Sequence, residues 1–402
     1  MNKQRRDAIL AAEPDHPRWD GEPMMGGWYT EAEVEAIVKA VRDSMDWTVG
    51  FGFFCQEIVD FEEAFAAYCG TKYALSITSA GAGLDMAMMT LDLQPGDEVI
   101  APAINFWAGH YAIIGAGAKL VLCEVDPLTL NADPADVERR ITPRTRAILV
   151  THMNGLSADM DALQEVANRH PHPRYGPPKV IGDAARACGG EYKGAKIGKH
   201  GWMTIFSFHT MKAMTTLGEG GMITTDDPAL YERLRAIRMW GDARDDLWGG
   251  NYKMTKIQAA VGLVQLARLE EMNGLRYQRA RQRSALLQDV PQLTLPYEPP
   301  GYKHTYYLYT CLVPPEWAGE KRDRLIGLLQ DEYHVGAQVL NRPTYQSRAF
   351  VRQHTLGQQL PLSEELGARL FCPSLHPLMS EEDNEYVAAA MDAAVERVAA
   401  EG

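Results

Sequence analysis

Lys212 and the residues around it are the part of the sequence best suited to chemistry. The lysine ends the run 206–212, which mixes apolar residues with a serine, a histidine and a threonine, and the glycine-rich turn 218–221 follows it. A lysine in apolar surroundings can lose its charge and act as an amine nucleophile. Glycines let the backbone approach a ligand closely. Because lysines are usually solvated surface residues, Lys212 alone does not identify a site.

Asp183 supplies a second reactive group. It ends the apolar run 179–183 and is followed by two alanines. A carboxylate placed there could face the protonated nitrogen of a cofactor ring, or could be the N-cap of a helix. Chemistry with pyridoxal 5'-phosphate (PLP) needs an amine for the Schiff base, an acid that keeps the pyridine nitrogen protonated, and a site for the phosphate. The released amine can then act as the general base of a proton shift, so Lys212 and Asp183 together predict a PLP enzyme.

The phosphate and the ring of such a cofactor have candidate positions as well. The small-residue turn 79–83 lies between a predicted strand and a predicted helix, where free N–H groups and the helix dipole favour a phosphate. It matches neither Gly-x-Gly-x-x-Gly nor the Walker pattern, so close packing is the alternative interpretation. Phe106 and Trp107 follow the predicted strand 99–101. One of them could stack on a planar ring, while core packing is the ordinary role of such residues.

The elements that would position these residues form an alternating pattern. Apolar runs separated by helical patterns occupy residues 74–183, which predicts crossover units and a largely parallel sheet with helices on both faces. Ligands in such sheets bind at the carboxyl ends of the strands. Three candidate turns fall there: residues 79–83, the residues from Asp183 onwards, and residues 207–212. We expect a polar arm over residues 1–27, a large domain over 28–290, and a small α+β domain over 291–402 with a strand at 306–313.

Composition and charge exclude several classes of protein. The chain has 402 residues, of which 46% are hydrophobic, and a net charge of −13. An acidic surface disfavours binding to nucleic acid or to an anionic membrane. The six cysteines are scattered without a Cys-x-x-Cys pair, which indicates reduced core residues and predicts neither disulfides nor a metal site. With no apolar run long enough to span a bilayer and no signal-peptide pattern, we expect a cytoplasmic protein.

Three motifs together resemble one family. They are Asp183-Ala184-Ala185, Ser207-x-x-x-x-Lys212 and Gly218-Glu219-Gly220-Gly221. As a set they are similar to the sugar aminotransferases of the DegT/StrS family, over about residues 28–395. The resemblance implies an α/β fold of the fold-type I PLP-dependent transferases, with a large domain whose mostly parallel sheet is sandwiched by helices, and a small C-terminal α+β domain. It also implies PLP as the cofactor and a homodimer with the active site at the subunit interface.

The resemblance assigns roles to individual residues. Lys212 would form the Schiff base and Asp183 would pair with the pyridinium nitrogen, so these two would be the catalytic residues. Gly81 and Ala82 would bind the phosphate through their N–H groups. The other cofactor contacts would come from Phe106 on the ring, Arg186 at the ring hydroxyl, Ser207 at the phosphate, and Asn251 at the phosphate of the neighbouring subunit's site. Gly81 stands where the family usually has threonine, and Arg186 where it has glutamine or histidine.

The predicted reaction moves an amino group from glutamate or glutamine to a keto sugar or a ketocyclitol. Neutral hydrogen-bonding groups and aromatic faces suit such an acceptor. The candidates for contacting it are Trp47, Thr48, Trp107, His209, Asn341 and Tyr345. A pocket for dicarboxylates would instead require fixed arginines, and we expect Arg342, Arg348 and Arg352 to be solvated surface charges.

Two other functions are compatible with the motifs. One is a PLP-dependent sugar dehydratase, although that branch of the family generally lacks the lysine that Lys212 represents. The other is a PLP-binding regulator without turnover. The sequence does not identify the sugar, the carbon that is aminated, the donor, or whether a nucleotide is attached to the acceptor.

Overall fold

The computed structural model describes residues 1–12, 27–52, 54–241 and 246–401. The helices in this part of the chain are α1 (Lys3–Ala11), α2 (Glu31–Asp43), α3 (Gln56–Cys69), α4 (Ala80–Thr90), α5 (Trp107–Gly115), α6 (Pro134–Arg140), α7 (Met160–Arg169), α8 (Pro228–Arg238), α9 (Lys256–Leu287), α10 (Glu320–Asp331), α11 (Thr344–Ser347), α12 (Ala349–His354), α13 (Pro361–Arg369) and α14 (Glu381–Ala400). The strands are β1 (Tyr73–Ile77), β2 (Glu98–Pro102), β3 (Lys119–Cys123), β4 (Thr145–Thr151), β5 (Lys179–Asp183), β6 (Glu191–Tyr192), β7 (Ala195–Lys196), β8 (Met203–Ser207), β9 (Gly221–Thr225), β10 (Tyr302–Lys303), β11 (Cys311–Leu312), β12 (Ala337–Gln338) and β13 (Leu370–Pro373).

The main sheet is mostly parallel. Within the described residues it has seven strands in the order β1-β9-β8-β5-β4-β2-β3. β9 pairs antiparallel with β1 and β8, and the other neighbouring strands pair in parallel. All strands of this sheet except β9 therefore run in one direction, and their carboxyl ends share one edge.

Helices cover both faces of this sheet. Successive side chains of a strand point to opposite faces, so Ala147 and Leu149 of β4 pack in the core beneath α4, α5 and α8. Ile148 and Val150 pack in the core beneath α6 and α7. Burial on both faces explains why β4 has no polar residue between Ala147 and Val150, as is usual for parallel sheets. The predicted parallel sheet with helices on both faces is confirmed.

A small α+β region follows the long helix α9, as predicted. Its sheet has the order β11-β13-β12, and α10 and α14 pack with it around a separate core. The strand predicted over 306–313 is wrong except at Cys311–Leu312, because Tyr306 has a φ of 48°, which is incompatible with an extended strand. The predicted domain boundary at residue 290, three residues after α9 ends at Leu287, stays a prediction.

The N-terminal residues differ from the predicted polar arm. Lys3–Ala11 is a helix, and Arg6, which is 6% exposed, pairs with Asp392 at 3.5 Å and with Glu396 on α14. These ion pairs hold α1 against the C-terminal helix. Residues 13–26 of the predicted arm lie outside the described residues. Among those that are described, no helix combines the length and apolar composition needed to cross a bilayer.

Candidate active site

A cleft of about 800 Å³ lies at the carboxyl ends of β1, β2, β4, β5 and β8, within the usual size of a small-molecule site. One side, the sheet wall, is formed by Gly81, Asp183, Ser207 and Lys212, which follow or end these strands. The opposite side, the C-terminal wall, is formed by Tyr307, Asn341, Arg342 and Arg348. The predicted residues that the structure brings together in this cleft are Gly81, Phe106, Trp107, Asp183, Arg186, Ser207, His209, Lys212 and Asn341.

Lys212 sits on the tight loop after β8. Its backbone N–H donates to the carbonyl of His209 at 2.9 Å, and its own carbonyl accepts from Gly27 at 2.9 Å. The side-chain Nζ donates to the hydroxyl of Tyr307 at 3.2 Å and lies 4.8 Å from the centroid of that ring. The loop is therefore held on both sides, and the amine reaches across the cleft to the C-terminal wall.

Asp183 is the last residue of β5 and pairs in register with Thr151 of β4. It is 4% exposed, and its Oδ1 accepts from the backbone N–H of Ala185 at 3.0 Å. Burial raises the pKa of Asp183, although the positive charges of Arg186 and Lys212 act in the opposite direction. A buried carboxyl of this kind is stabilised in its ionised form by a cation placed beside it.

The turn after β1 begins helix α4. Ser79 is its N-cap, and the Ser79 hydroxyl accepts from the N–H of Ala82 at 3.1 Å. Gly81 lines the cleft, whereas Ala82 does not. The glycine-rich motif packs against this turn: a Cβ on Gly221 would lie 2.7 Å from the carbonyl oxygen of Phe206 and 2.9 Å from the nitrogen of Ala80. Gly221 thus lets β9 approach the start of α4.

Aromatic and amide groups after β2 form another part of the cleft. The rings of Phe106 and Trp107 have centroids 4.0 Å apart, and Phe106 is 43% exposed. The guanidinium carbon of Arg348 lies 3.5 Å from the centroid of the Trp107 ring, which is a close cation–π contact. Asn105 lies just before them, and its Oδ1 accepts from Phe106 at 2.7 Å and from Thr151 at 2.6 Å.

Arg186 joins the two sides of the cleft. Its Nη1 donates to Asn154 Oδ1 at 3.3 Å and to Asn341 Oδ1. Asn341 in turn donates from Nδ2 to Asn154 at 2.9 Å. This network fixes Asn341, whose φ of 69° is unusual for a residue with a side chain. Arg186 therefore contacts the C-terminal wall in addition to lying near the predicted cofactor site.

Five predicted residues do not line this cleft. The N–H of Ala82 is bonded to Ser79, and Tyr345 donates to Glu364 at 2.6 Å while it packs on the core beneath α5. Trp47 is 90% exposed, and Thr48 bonds to Asp46. Asn251 is exposed and accepts from Lys253 at 2.6 Å. The carboxylate of Glu364 satisfies the Tyr345 hydroxyl, so this side chain is bonded at a position outside the cleft lining.

Three residues of the C-terminal wall were not predicted as site residues. Tyr307 lies in a run that resembled a strand, so its contact with Lys212 had no sequence signal. Arg342 and Arg348 were expected to be solvated surface charges. Arg342 is exposed as expected but also lines the cleft, whereas Arg348 is half-buried in the cleft lining. Arg352 lies outside the cleft lining and donates to the carbonyls of Tyr345 and Gln346, both at 2.8 Å. The positions of Tyr307, Arg342 and Arg348 in the cleft follow from packing between distant parts of the chain.

The described residues fit PLP. A protonated ring nitrogen would stabilise the charge of the buried Asp183 carboxyl, and the small residues at the start of α4 allow a phosphate to approach backbone N–H groups. Asn105 lines the cleft, and its buried Nδ2 has no hydrogen-bond partner among the described residues. Since a buried donor without a partner is unfavourable, this amide is suited to donate to an oxygen atom of a bound molecule.

Comparisons with known proteins identify the family. The chain matches the DegT/DnrJ/EryC1/StrS aminotransferase family over residues 29–392. It is 36% identical over 362 residues to the GDP-perosamine synthase of Caulobacter vibrioides, and the aligned region covers 88% of this chain and 93% of that protein. The solved structure of S. venezuelae DesV in complex with a ketimine intermediate is 33% identical, with a TM-score of 0.82 over 91% of this chain and 94% of that chain. The PLP form of Spr1654, a putative sugar aminotransferase from Streptococcus pneumoniae, has the same fold, with 24% identity and a TM-score of 0.85 over 94% of this chain and 99% of that chain.

These matches agree with the fold and with the chemistry of the cleft. The fold is that of the fold-type I aminotransferases, and the cofactor is PLP. The family match covers the sheet wall and the C-terminal wall alike. The chain therefore belongs to the DegT/DnrJ/EryC1/StrS aminotransferase family, a family of PLP-dependent sugar aminotransferases.

Proposed function

We propose that this enzyme transfers an amino group from glutamate or glutamine to the keto group of a sugar, or of a cyclitol, through Lys212. The observation that carries the proposal is the meeting of the Lys212 amine and the buried Asp183 carboxyl in one cleft. Lys212 reaches into the cleft with its amine bonded only to Tyr307 among the described residues. This position favours amino-group transfer over dehydration, because the dehydratases of the family generally lack the lysine.

Each residue of the sheet wall has a proposed task. Lys212 would hold PLP through its side-chain amine and, once released, would move a proton with Nζ. Asp183 would keep the ring nitrogen protonated, and Gly81 and Ser207 would bind the phosphate; Ala82, whose N–H is bonded to Ser79 outside the cleft lining, would not. Bound PLP supplies an electron sink that stabilises negative charge on the substrate carbon.

The remaining contacts of the cofactor come from neighbouring groups. Phe106 would pack on the ring, and Arg186 would donate to the ring hydroxyl. Because Arg186 is a fixed cation already bonded to Asn154 and Asn341, it would couple the ring to the C-terminal wall. Ser207 is 6% exposed and accepts from His209 N–H at 3.3 Å, so its hydroxyl hydrogen is free to donate to a phosphate oxygen.

The C-terminal wall supports an acceptor with an anionic group. Asn341 on this wall, together with His209 and Trp107 elsewhere in the cleft, offers the hydrogen bonds and the apolar face that a sugar ring requires. Arg342 and Arg348 add two positive charges to the same cleft, and guanidinium groups suit phosphates. The name of the Caulobacter relative includes a GDP-linked sugar. We therefore propose that the acceptor is a keto sugar that carries a nucleoside diphosphate.

The active unit in this proposal is a homodimer. Large apolar side chains are exposed at Trp47, Phe51, Phe54, Trp240 and Trp248, with exposed fractions of 45–90%, and such side chains are typical of a protein interface. Asn251 lies near Trp240 along the chain, bonded to the Lys253 amine that packs over the Trp240 ring. Asn251, Trp47 and Thr48 would then contribute to the cleft of the neighbouring subunit.

Comparing acceptors tests this function. The PLP-loaded enzyme is first treated with glutamate or glutamine, and the change in cofactor absorbance measures donor use. Keto sugars with and without a nucleoside diphosphate, ketocyclitols, pyruvate and oxaloacetate are then compared by kcat/KM. We expect the nucleotide-linked keto sugars to be preferred. A preference for the simple 2-oxo acids would contradict the proposal, and the absence of donor-dependent absorbance change would favour a regulator.

Mixed dimers test the shared site. Subunits with Lys212→Ala and subunits with Asn251→Ala are each expected to be impaired, and mixing them leaves one site without either defect. Partial recovery of activity on mixing is therefore expected. Full activity from a monomer, measured by light scattering at assay concentration, would overturn the dimer proposal.

A further inference from the structure

Tyr307 is the residue of the C-terminal wall that touches the reactive amine. Among the described residues, its hydroxyl is the one hydrogen-bond partner of Lys212 Nζ, at 3.2 Å. The amine also lies 4.8 Å from the centroid of the Tyr307 ring. The same side chain thus offers Lys212 an oxygen atom and an aromatic face.

The backbone around Tyr307 is fixed by the loop after β4. Leu308 N–H donates to the carbonyl of Asn154 at 3.2 Å. The two segments touch so closely that a Cβ on Gly155 would lie 3.0 Å from the nitrogen of Tyr307. Gly155 has a φ of 108°, which residues with side chains rarely adopt. The tyrosine is 4% exposed, so little conformational entropy remains to be lost when it bonds to Lys212.

The chemistry of Lys212 requires such a partner. The lysine side chain has four flexible carbons, and its amine must hold the cofactor and, once released, take a proton from the substrate carbon. A phenol hydroxyl accepts a hydrogen bond from an ammonium group and donates one to a neutral amine. It can therefore hold Nζ in either protonation state. Correct placement of a reacting group to within about 1 Å can be worth about 100-fold in rate.

We propose that Tyr307 is a positioning residue for Lys212, which holds the released amine in line for proton transfer. The proposal rests on the proposed aminotransferase function for its kinetic consequence, but the contact itself does not. The alternative is that Tyr307 only fills space between the two walls. The substitution Tyr307→Phe separates these possibilities, because it keeps the ring and removes the hydroxyl.

Tyr309 provides a matched control. It lies two residues further along the same run, is 0% exposed, and its hydroxyl pairs with Ser284 at 2.9 Å rather than with Lys212. Tyr309→Phe therefore removes a buried hydroxyl from the same segment without touching the amine. Both variants are compared with the wild-type chain by thermal unfolding, so that a general loss of structure is recognised.

The first measurement does not depend on turnover. The full-length chain without cofactor is pulsed with acetic anhydride, and the acetylation of each lysine is measured by peptide mass spectrometry. Without the hydrogen bond to Tyr307 the amine is less restrained, so we expect Tyr307→Phe to speed acetylation of Lys212 by about fivefold to tenfold. Acetylation of the buried Lys256 should not change, and Tyr309→Phe should match the wild type. Equal labelling of Lys212 in all three proteins would show that the Tyr307 hydroxyl does not restrain the Lys212 amine, which would refute the proposal.

The second measurement uses the PLP-loaded enzyme. We expect Tyr307→Phe to lower kcat by about 10- to 100-fold while KM stays within about twofold. The deuterium isotope effect with α-deuterated donor should increase, because proton transfer becomes slower relative to the other steps. If kcat and the isotope effect equal those of Tyr309→Phe, the positioning role is refuted. If the wild-type enzyme transfers no amino group, the proposed function fails while the labelling experiment still decides the contact.

Discussion

The two walls of the cleft are built by different means. Residues of the sheet wall end or directly follow strands whose backbone register is set by the parallel sheet, so Asp183 and Thr151 lie side by side. Residues of the C-terminal wall lie outside the strands of the main sheet, and contacts between distant segments hold them, such as Arg186 to Asn341 and Arg348 over Trp107. We therefore propose that the sheet wall carries the cofactor chemistry and that the C-terminal wall, apart from Tyr307, selects the substrate.

The largest expected effect tests the sheet wall at Lys212. Lys212→Ala should lower amino-group transfer by at least about 1,000-fold, because the amine is both the cofactor attachment and the proton-transfer group. Borohydride reduction of the PLP-loaded wild type should attach the cofactor to the peptide that contains Lys212, and the variant should show no attachment. The exposed Lys199 is the control, since Lys199→Ala should behave like the wild type. Attachment at a different lysine would show that Lys212 is not the residue that binds the cofactor.

Asp183→Asn tests the same wall with a smaller expected effect. Loss of the charge beside the ring nitrogen should slow the donor half-reaction by about 100- to 1,000-fold, as measured by single-turnover absorbance, and Asp183→Glu should retain more of the rate. Asparagine keeps a side-chain oxygen that can accept from the N–H of Ala185, as Asp183 does. A rate within about tenfold of the wild type in Asp183→Asn would show that the carboxyl does not act on the ring.

Asp183→Asn should stabilise the cofactor-free chain even though it lowers the reaction rate. Burial raises the pKa of Asp183 above its usual value of 3.8, so the ionised carboxylate destabilises the fold at pH values above its raised pKa. A neutral asparagine removes this cost at neutral pH, and the difference should vanish below pH 3.8, where aspartate is protonated in both states. Thermal unfolding at pH 7 should therefore show Asp183→Asn to be at least as stable as the wild type; a clear loss of stability would contradict this.

Arg348→Ala tests the C-terminal wall. Loss of a charge-assisted contact worth about 1.5–3 kcal/mol should raise KM for a nucleotide-linked acceptor by about 10- to 100-fold and leave the donor half-reaction unchanged. Arg324 is the control, because its pairing with Glu401 is exposed and exposed pairs contribute little. An equal loss in both half-reactions would mean that Arg348 supports the cofactor site, and the division between the walls would then be wrong.

Tyr345→Phe has the smallest expected effect. Its hydroxyl bonds to Glu364 at 2.6 Å and it does not line the cleft, so the substitution should lower the free energy of unfolding by about 1 kcal/mol without changing kcat/KM. Urea unfolding and steady-state kinetics measure the two quantities. A raised KM with unchanged stability would instead restore Tyr345 to the substrate site that the sequence suggested.

Sequence patterns predicted the sheet wall because its causes are local. Alternating strands and helices indicate a parallel sheet, and the carboxyl ends of parallel strands meet at one edge, so the sequence pattern predicts that Gly81, Asp183 and Ser207 lie at that edge. The start of α4 was predicted less well. The helix begins at Ala80, and the Ser79 cap that occupies the N–H of Ala82 depends on the orientation of one side chain.

The amino-acid sequence by itself determined the class of fold and the family with its cofactor, since these depend on periodicity and on short motifs. The catalytic roles of Lys212 and Asp183 stay predictions. The tertiary structure alone decided that Tyr307 meets Lys212 across 95 residues of chain, and that Arg348 stacks on Trp107. A positive φ at Tyr306 turned a predicted strand into an irregular segment. Such contacts join segments that share no sequence pattern, so only the packing of the C-terminal region against the sheet could place them.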